Sequence, residues 1–186
     1  VWPMSLTKPD QWKYYDAGVD AVITAQRSVP ARLIDPKVKN RSRMHYRMAE
    51  LQAAKIHEGS WALLSDEDGF ITEGAGANFM IIRDGTILSP EPRNILRGIT
   101  RGAIVDLTNA NGIPFIETNI DAYDVYNADE AFYCSTSFAI MPVATVDAHK
   151  IGEGVPGPVT SRLIDAFADS AGIDFVSQAK ALQGTA

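Results

Sequence analysis

The chain has 186 residues, 46% hydrophobic and 22% charged, with a net charge of −6 and a pI near 5.0. This is enough to bury a core as one large domain, and the acidic balance, with no basic run interleaved with aromatics, argues against a nucleic-acid partner. A single cysteine, Cys134, excludes an internal disulfide and fits a reducing compartment, and no apolar run approaches a membrane span, so a cytoplasmic protein is expected.

The chain opens on Val1-Trp2-Pro3-Met4, directly in apolar and aromatic sequence, which reads as a cut through a fold with an N-terminal portion missing. Residues 1–18, with Trp2, Trp12, Tyr14 and Tyr15, read as a turn-rich connector that packs on something. Val19 to Ala25 is a strand candidate, and Asp35-Pro36 biases Asp35 away from helix. A helix is expected from about Ser42 to His57, stopped by Gly59, with Met44, Met48, Leu51 and Ala54/Lys55 as its apolar face.

Trp61–Leu64 and Phe70-Ile71 read as strands around the turn Asp66–Gly69, and Phe79–Ile82 as a buried strand that turns at Asp84-Gly85 into Thr86–Leu88. A helix follows from about Arg101 to Asn109, closed by Asn111-Gly112. Pro114–Glu117 is a strand, Ala122–Tyr126 a short helix or turn, and Glu130–Cys134 a buried strand running into Ser135-Thr136-Ser137. Ile140–Val143 and Thr145-Val146 read as a further strand pair. The loop Gly152–Pro158 leads to a last amphipathic helix, about Val159 to Ala168, and nothing is legible after Ala171. The class is mixed α/β or α+β.

Three features carry possible chemistry. One is a lysine just before a helix, Lys37 or Lys39; another is Glu73 beside the glycine-rich stretch Gly74-Ala75-Gly76. The third is a pair of small-residue segments, Gly98-Ile99-Thr100 before a helix and Ser135-Thr136-Ser137 after a strand. Helix N-terminal N–H groups joined by hydroxyls suit a phosphate. A lysine amine held away from water can attack an aldehyde, and a carboxylate beside a pyridine nitrogen keeps it protonated. These are the requirements of pyridoxal phosphate chemistry. Spacing alone leaves them open, since Glu73 also suits a solvated hairpin turn. His45, His57 and His149 are scattered without metal-ligand spacing, and Cys134 reads as packing within a strand.

Thr72-Glu73-Gly74-Ala75-Gly76-Ala77-Asn78, Leu96-Arg97-Gly98-Ile99-Thr100-Arg101, Ala128-Asp129-Glu130-Ala131-Phe132 and Gly157-Pro158-Val159-Thr160 occur in an order that resembles the class IV aminotransferases. These are the fold type IV pyridoxal phosphate enzymes, among them branched-chain, D-amino acid and (R)-amine transaminases and aminodeoxychorismate lyase. The resemblance runs from about Ala17 to Ala168. It implies the large domain of such an enzyme, a mixed sheet or pseudo-barrel flanked by helices over residues 19–186, with 1–18 a connector and the small N-terminal domain missing.

It implies a Schiff-base lysine that also moves a proton between substrate and cofactor. The pattern Asp-Pro-x-x-Lys-Asn matches Asp35-Pro36-Lys37-Val38-Lys39-Asn40 and selects Lys39, whereas a Lys-x-x-Asn pattern would select Lys37. Glu73 matches the carboxylate that pairs with the pyridine nitrogen, Ile99 and Thr100 match donors to the phosphate, and Thr136 matches a second phosphate hydroxyl. Ser137 lies where relatives present an N–H to phosphate or substrate carboxylate, and Asn78 is read as orienting the loop.

One departure is Met44, at a position where some members carry a tyrosine that touches the cofactor; its neighbours His45 and Tyr46 could either one substitute, although helix geometry lets only some of these face the site. Arg41, Arg43 and Arg97 are possible anion ligands but read mainly as exposed or structural. The implied activity is amino transfer between an amino acid (branched-chain or D-amino acid) or amine and a 2-oxo acid, by a homodimer. The alternatives are a lyase of the aminodeoxychorismate type, or a non-catalytic scaffold of the same fold.

Overall fold

The computed structural model describes residues 12–40 and 42–181. In chain order the elements are α1 (Trp12–Ala17), β1 (Val19–Ile23), α2 (Met44–Ile56), β2 (Trp61–Ser65), β3 (Ile71–Gly74), β4 (Asn78–Arg83), β5 (Thr86–Pro90) and α3 (Ile99–Ala110). There follow β6 (Phe115–Thr118), α4 (Ala122–Tyr126), β7 (Glu130–Ser135), β8 (Ala139–Val146), β9 (His149–Lys150), α5 (Pro158–Ala171) and α6 (Phe175–Ala181). The strands run β3-β2-β1-β8-β7-β4-β5-β6, and a further pairing of β3 with β4 closes the first six into a ring. The expected mixed sheet with a barrel-like closure is therefore present.

Two of the pairings are parallel and consecutive in sequence, β1 with β2 and β5 with β6. A parallel pair needs a long crossover. The first crossover contains the Lys37–Lys39 loop and α2, and the second contains Gly98 and α3. The antiparallel β7–β8 hairpin presents the turn at Thr136–Phe138. Topology thus delivers the three chemistry-bearing segments on separate connections.

Strands β4 and β7 are buried on both faces. Phe79, Ile81 and Tyr133 belong to one apolar cluster, whereas Met80, Ile82, Phe132 and Cys134 belong to another with Ile104 of α3 and Leu163 of α5. Continuous apolar runs, not alternation, mark such strands. Helix α5 is held by Glu130 of β7, whose buried carboxylate accepts from the N–H of Val159 (2.8 Å) and of Thr160 (2.8 Å). The negative group meets the positive end of the helix dipole and satisfies two orphan donors. Gly157 is required there, because a Cβ would overlap the Glu130 side chain.

Four sequence expectations change. The apolar face of α2 is not Met44, Met48 and Leu51, which are 71%, 43% and 43% exposed. Tyr46, Ala49 and Ala53 face the sheet instead, packing on Val22, Ala62 and Leu64. The small alanines let the helix approach closely, an advantage that a count of large apolar residues misses. The expected strand pair at 140–146 is one strand, β8, that turns into β9 at Asp147-Ala148 with both residues at positive φ. Within the stretch expected to be turn-rich, residues 12–17 form a helix, and Tyr15 donates to the Phe138 carbonyl at 2.9 Å. The stretch after Ala171 forms α6. Trp2 and Arg41 lie outside the described residues.

Replacing Glu130 by alanine is expected to leave the two α5 donors buried without partners and to cost about 3 kcal/mol of stability, read as a lower urea midpoint.

Candidate active site

Glu73 is the penultimate residue of β3, and its partner in the register that closes the ring is Asn78, which in turn pairs with Cys134 of β7. Its carboxylate is 5% exposed. Burying a carboxylate is costly unless donors compensate, and three do. Tyr46 Oη donates to Oε1 at 2.5 Å, while Asn78 Nδ2 and the Leu96 N–H both donate to Oε2 at 3.1 Å. Asn78 Nδ2 also donates to the Leu96 carbonyl at 2.8 Å, tying the loop before α3 to the carboxylate. Burial dominates and pushes the Glu73 carboxyl pKa above its ordinary value, against the Tyr46 and Leu96 hydrogen bonds and the charges of Arg43 and Lys39.

An open cleft of about 490 Å³ lies against this carboxylate. Lys39, Glu73, Ile99, Thr100, Thr136 and Ser137 all line it. Lys37 lines it too, but its ammonium pairs with Asp35 at 3.3 Å and its N–H donates to the same side chain at 3.0 Å. Lys39 is exposed and is the lysine whose charge is felt by Glu73. It also borders a smaller adjoining hollow with His45 and Tyr46.

Opposite the lysine is the start of α3. Gly98 is its N-cap in extended conformation, so Ile99 and Thr100 hold the first N–H groups of the helix, which have no intrahelical acceptor. The Ile99 side chain is 87% exposed whereas Thr100 is buried, so Ile99 offers backbone and Thr100 can add a hydroxyl. Gly98 packs directly on Asn78, and a Cβ there would overlap Asn78 Oδ1. On the third wall, Ser135 Oγ and Ser137 Oγ are 3.0 Å apart, pinning the turn that exposes Thr136. Cys134 is fully buried behind it, its thiol pushed up to about 12 by burial, which makes it an uncharged packing group.

The sequence marks Tyr46 and Arg43 only as a neighbour of the missing tyrosine and as a possible anion ligand, and it does not reveal their tie to Glu73. Both lie on the approach to Glu73: the Arg43 guanidinium is 4.2 Å from the centre of the Tyr46 ring, and its Nη2 donates to the Ala75 carbonyl at 2.9 Å. The signal for Tyr46 was available in its helical spacing to Ala49 and Ala53, the face that meets the sheet. Met44 is turned to solvent, and the His45 ring packs against Tyr46 at a tilt of 40° with ring centres 4.0 Å apart. Arg97 is exposed on the rim of the cleft.

A buried carboxylate, a lysine amine and a set of helix N–H and hydroxyl groups thus converge on one cleft of a barrel-like mixed sheet. The chain belongs to the class IV aminotransferase family, whose profile (Amino-transferase class IV) matches residues 3–146. It is 41% identical over 122 residues to the branched-chain-amino-acid aminotransferase of Pseudomonas aeruginosa, covering 66% of this chain and 40% of that protein. It is 33% identical over 155 residues to a putative branched-chain-amino-acid aminotransferase of Methanocaldococcus jannaschii, covering 82% and 53%.

Among solved structures, the branched-chain amino acid aminotransferase of Escherichia coli superimposes with a TM-score of 0.81 at 31% identity, over 84% of this chain and 52% of that one. The T.th. branched-chain amino acid aminotransferase, solved with pyridoxamine 5′-phosphate, gives 0.80 at 29% identity, over 85% and 53%. The chain spans about half the length of the curated relatives it matches.

Two outcomes are expected. Gly98→Ala displaces Asn78 from Glu73 and lowers the melting temperature by several degrees for a cost of about 2 kcal/mol, measured by calorimetry. For cofactor-free protein, a raised Glu73 carboxyl pKa means that the folded state binds more protons just above the ordinary glutamate range. Stability conferred by this group is complete below the unfolded-state value and is lost as pH rises through the folded-state value. Glu73→Gln should therefore flatten the decline of the denaturant midpoint over that window.

Proposed function

We propose that this chain carries the cofactor-binding part of a pyridoxal-phosphate-dependent aminotransferase that moves an amino group from a branched-chain amino acid to a 2-oxo acid. The observation that carries the reading is the convergence of Lys39, the buried Glu73 and the α3 cradle on one cleft. The donor set fits the group: a carboxylate held ready for a protonated ring nitrogen, and N–H groups and hydroxyls for a phosphate. Bound pyridoxal phosphate supplies an aldehyde that condenses with amines and a ring that draws electrons from the substrate Cα.

The chain's own residues do the rest. Glu73 receives the ring N–H, and its charge keeps that proton in place. The N–H groups of Ile99 and Thr100, the hydroxyls of Thr100 and Thr136 and the N–H of Ser137 would take the phosphate oxygens, with the helix dipole favouring the negative charge. Lys39 Nζ would hold the cofactor at its aldehyde carbon and, as a free base, would carry the proton from substrate Cα to that carbon. Lys37, engaged by Asp35, serves to shape the loop.

Residues 19–186 form the cofactor domain in this proposal. Assembly as a homodimer and a cytoplasmic location belong to it as well, supported respectively by the exposed Met44, Met48 and Leu51 on α2 and by the single, unpaired Cys134. Among the described residues no helix is long and apolar enough to cross a membrane.

The test is the visible spectrum after addition of pyridoxal phosphate. The protein and Lys37→Ala are expected to turn yellow and to bleach with leucine, and Lys39→Ala is expected to stay colourless. A protein that takes up no chromophore overturns the reading.

A further inference from the structure

The hydrogen bonding around Glu73 fixes where a ring N–H can be received. An ionised carboxylate offers about four acceptor positions. Among the described residues, Oε2 is filled by Asn78 Nδ2 and the Leu96 N–H, and Oε1 accepts only the Tyr46 hydroxyl. The one remaining position is on Oε1, beside the phenol. Any ring nitrogen that meets Glu73 therefore shares its oxygen with Tyr46.

We propose that Tyr46 is a positioning residue for the cofactor's ring nitrogen: its hydroxyl, polarised by the Arg43 guanidinium stacked on its ring, holds Glu73 Oε1 as an ionised acceptor and so keeps the ring N–H proton on nitrogen. This rests on the pyridoxal phosphate reading of the cleft. The 2.5 Å Tyr46–Glu73 separation is that of an O–H donor on a charged acceptor. Arg43 is clamped to the Ala75 carbonyl, two residues beyond Glu73, and lies 4.2 Å from the ring centre, so cation, phenol and carboxylate are contiguous. Ala49 and Ala53 set the height of α2 over the sheet and hence the reach of the phenol.

The groups facing Glu73 come from four segments. Lys39 and Arg43 contribute positive charge, Tyr46 a hydrogen bond, and Cys134 a neutral buried thiol. Arg97 stands on the cleft rim. Of the influences that oppose burial at Glu73, the Tyr46 hydrogen bond is the largest. The charges of Arg43 and Lys39 add less.

The experiment compares the intact chain with Tyr46→Phe, which removes only the hydroxyl and retains the ring under Arg43. Carboxyl-labelled glutamate reports the Glu73 titration in cofactor-free protein by NMR, with the resonance assigned by its loss in Glu73→Gln. Pyridoxal phosphate labelled at the ring nitrogen reports the protonation of the bound ring. Tyr46→Phe is expected to raise the Glu73 midpoint by about one pH unit, a tenfold higher proton affinity, and to move the ring nitrogen toward its unprotonated resonance. An unchanged midpoint and an unchanged ring resonance overturn the proposal, even where the variant melts lower.

Arg43→Gln provides the second arm should Tyr46→Phe fail to fold. A smaller upward shift of the Glu73 midpoint supports the relay, and no shift overturns it. Should the intact chain bind no labelled cofactor, the aminotransferase reading falls and this proposal for the ring nitrogen with it. The glutamate midpoint still measures the Tyr46–Glu73 coupling independently.

Discussion

The carboxylate of Glu73 is the constraint on which the site depends. It lies at the single residue pair, Glu73 with Asn78, by which β3 meets β4 and the six-stranded ring closes. A charge at such a seam is costly in a low-dielectric surround, and the protein offsets the cost with one donor each from a helix, a strand and a loop. Those three donors belong to α2, β4 and the approach to α3. The same requirement that satisfies the carboxylate therefore draws together the walls of the cleft.

The arrangement follows from topology as much as from local chemistry. Both crossovers are obligatory because their strands are parallel; the first returns to β2, the neighbour of β3, and the second leaves from β5, the neighbour of β4, and returns to β6 at the sheet edge. The Lys39 loop arrives on the first and the start of α3 on the second, while the β7–β8 hairpin contributes its turn from the neighbouring strand. None of these segments is near another in sequence. A cleft at the junction can collect an amine, an acid and a set of anion donors without a single continuous motif.

Much of this was legible in the residues. The buried strands at 79–82 and 130–134, the helix after Gly98 and the small-residue turn at 135–137 were marked by apolar runs and by glycine and hydroxyl placement. Ordered motifs then placed Lys39, Glu73, Ile99, Thr100, Thr136 and Ser137 as candidates, and all six line one cleft. What escaped was decided by volume and by pairing across distance. The Met44, Met48 and Leu51 stripe has the right period and the wrong face, because Ala49 and Ala53 permit closer packing than methionine does. Tyr46 was one of two neighbours of an expected tyrosine, and only the docking of α2 shows that it meets Glu73. The α6 helix carries too few large apolar residues to announce itself, yet Phe175 and Val176 pack against the core clusters.

The two alanines of α2 have a consequence for how this protein can change. Ala49 and Ala53 are both completely buried. They act as a shim, and a larger side chain at either must be accommodated between the helix and the sheet. The chemistry of the cleft is thus exposed to mutation at positions that never touch it. Sequence variation is tolerated more readily on the exposed outer face of the helix, at Met44, Met48 and Leu51, than underneath it.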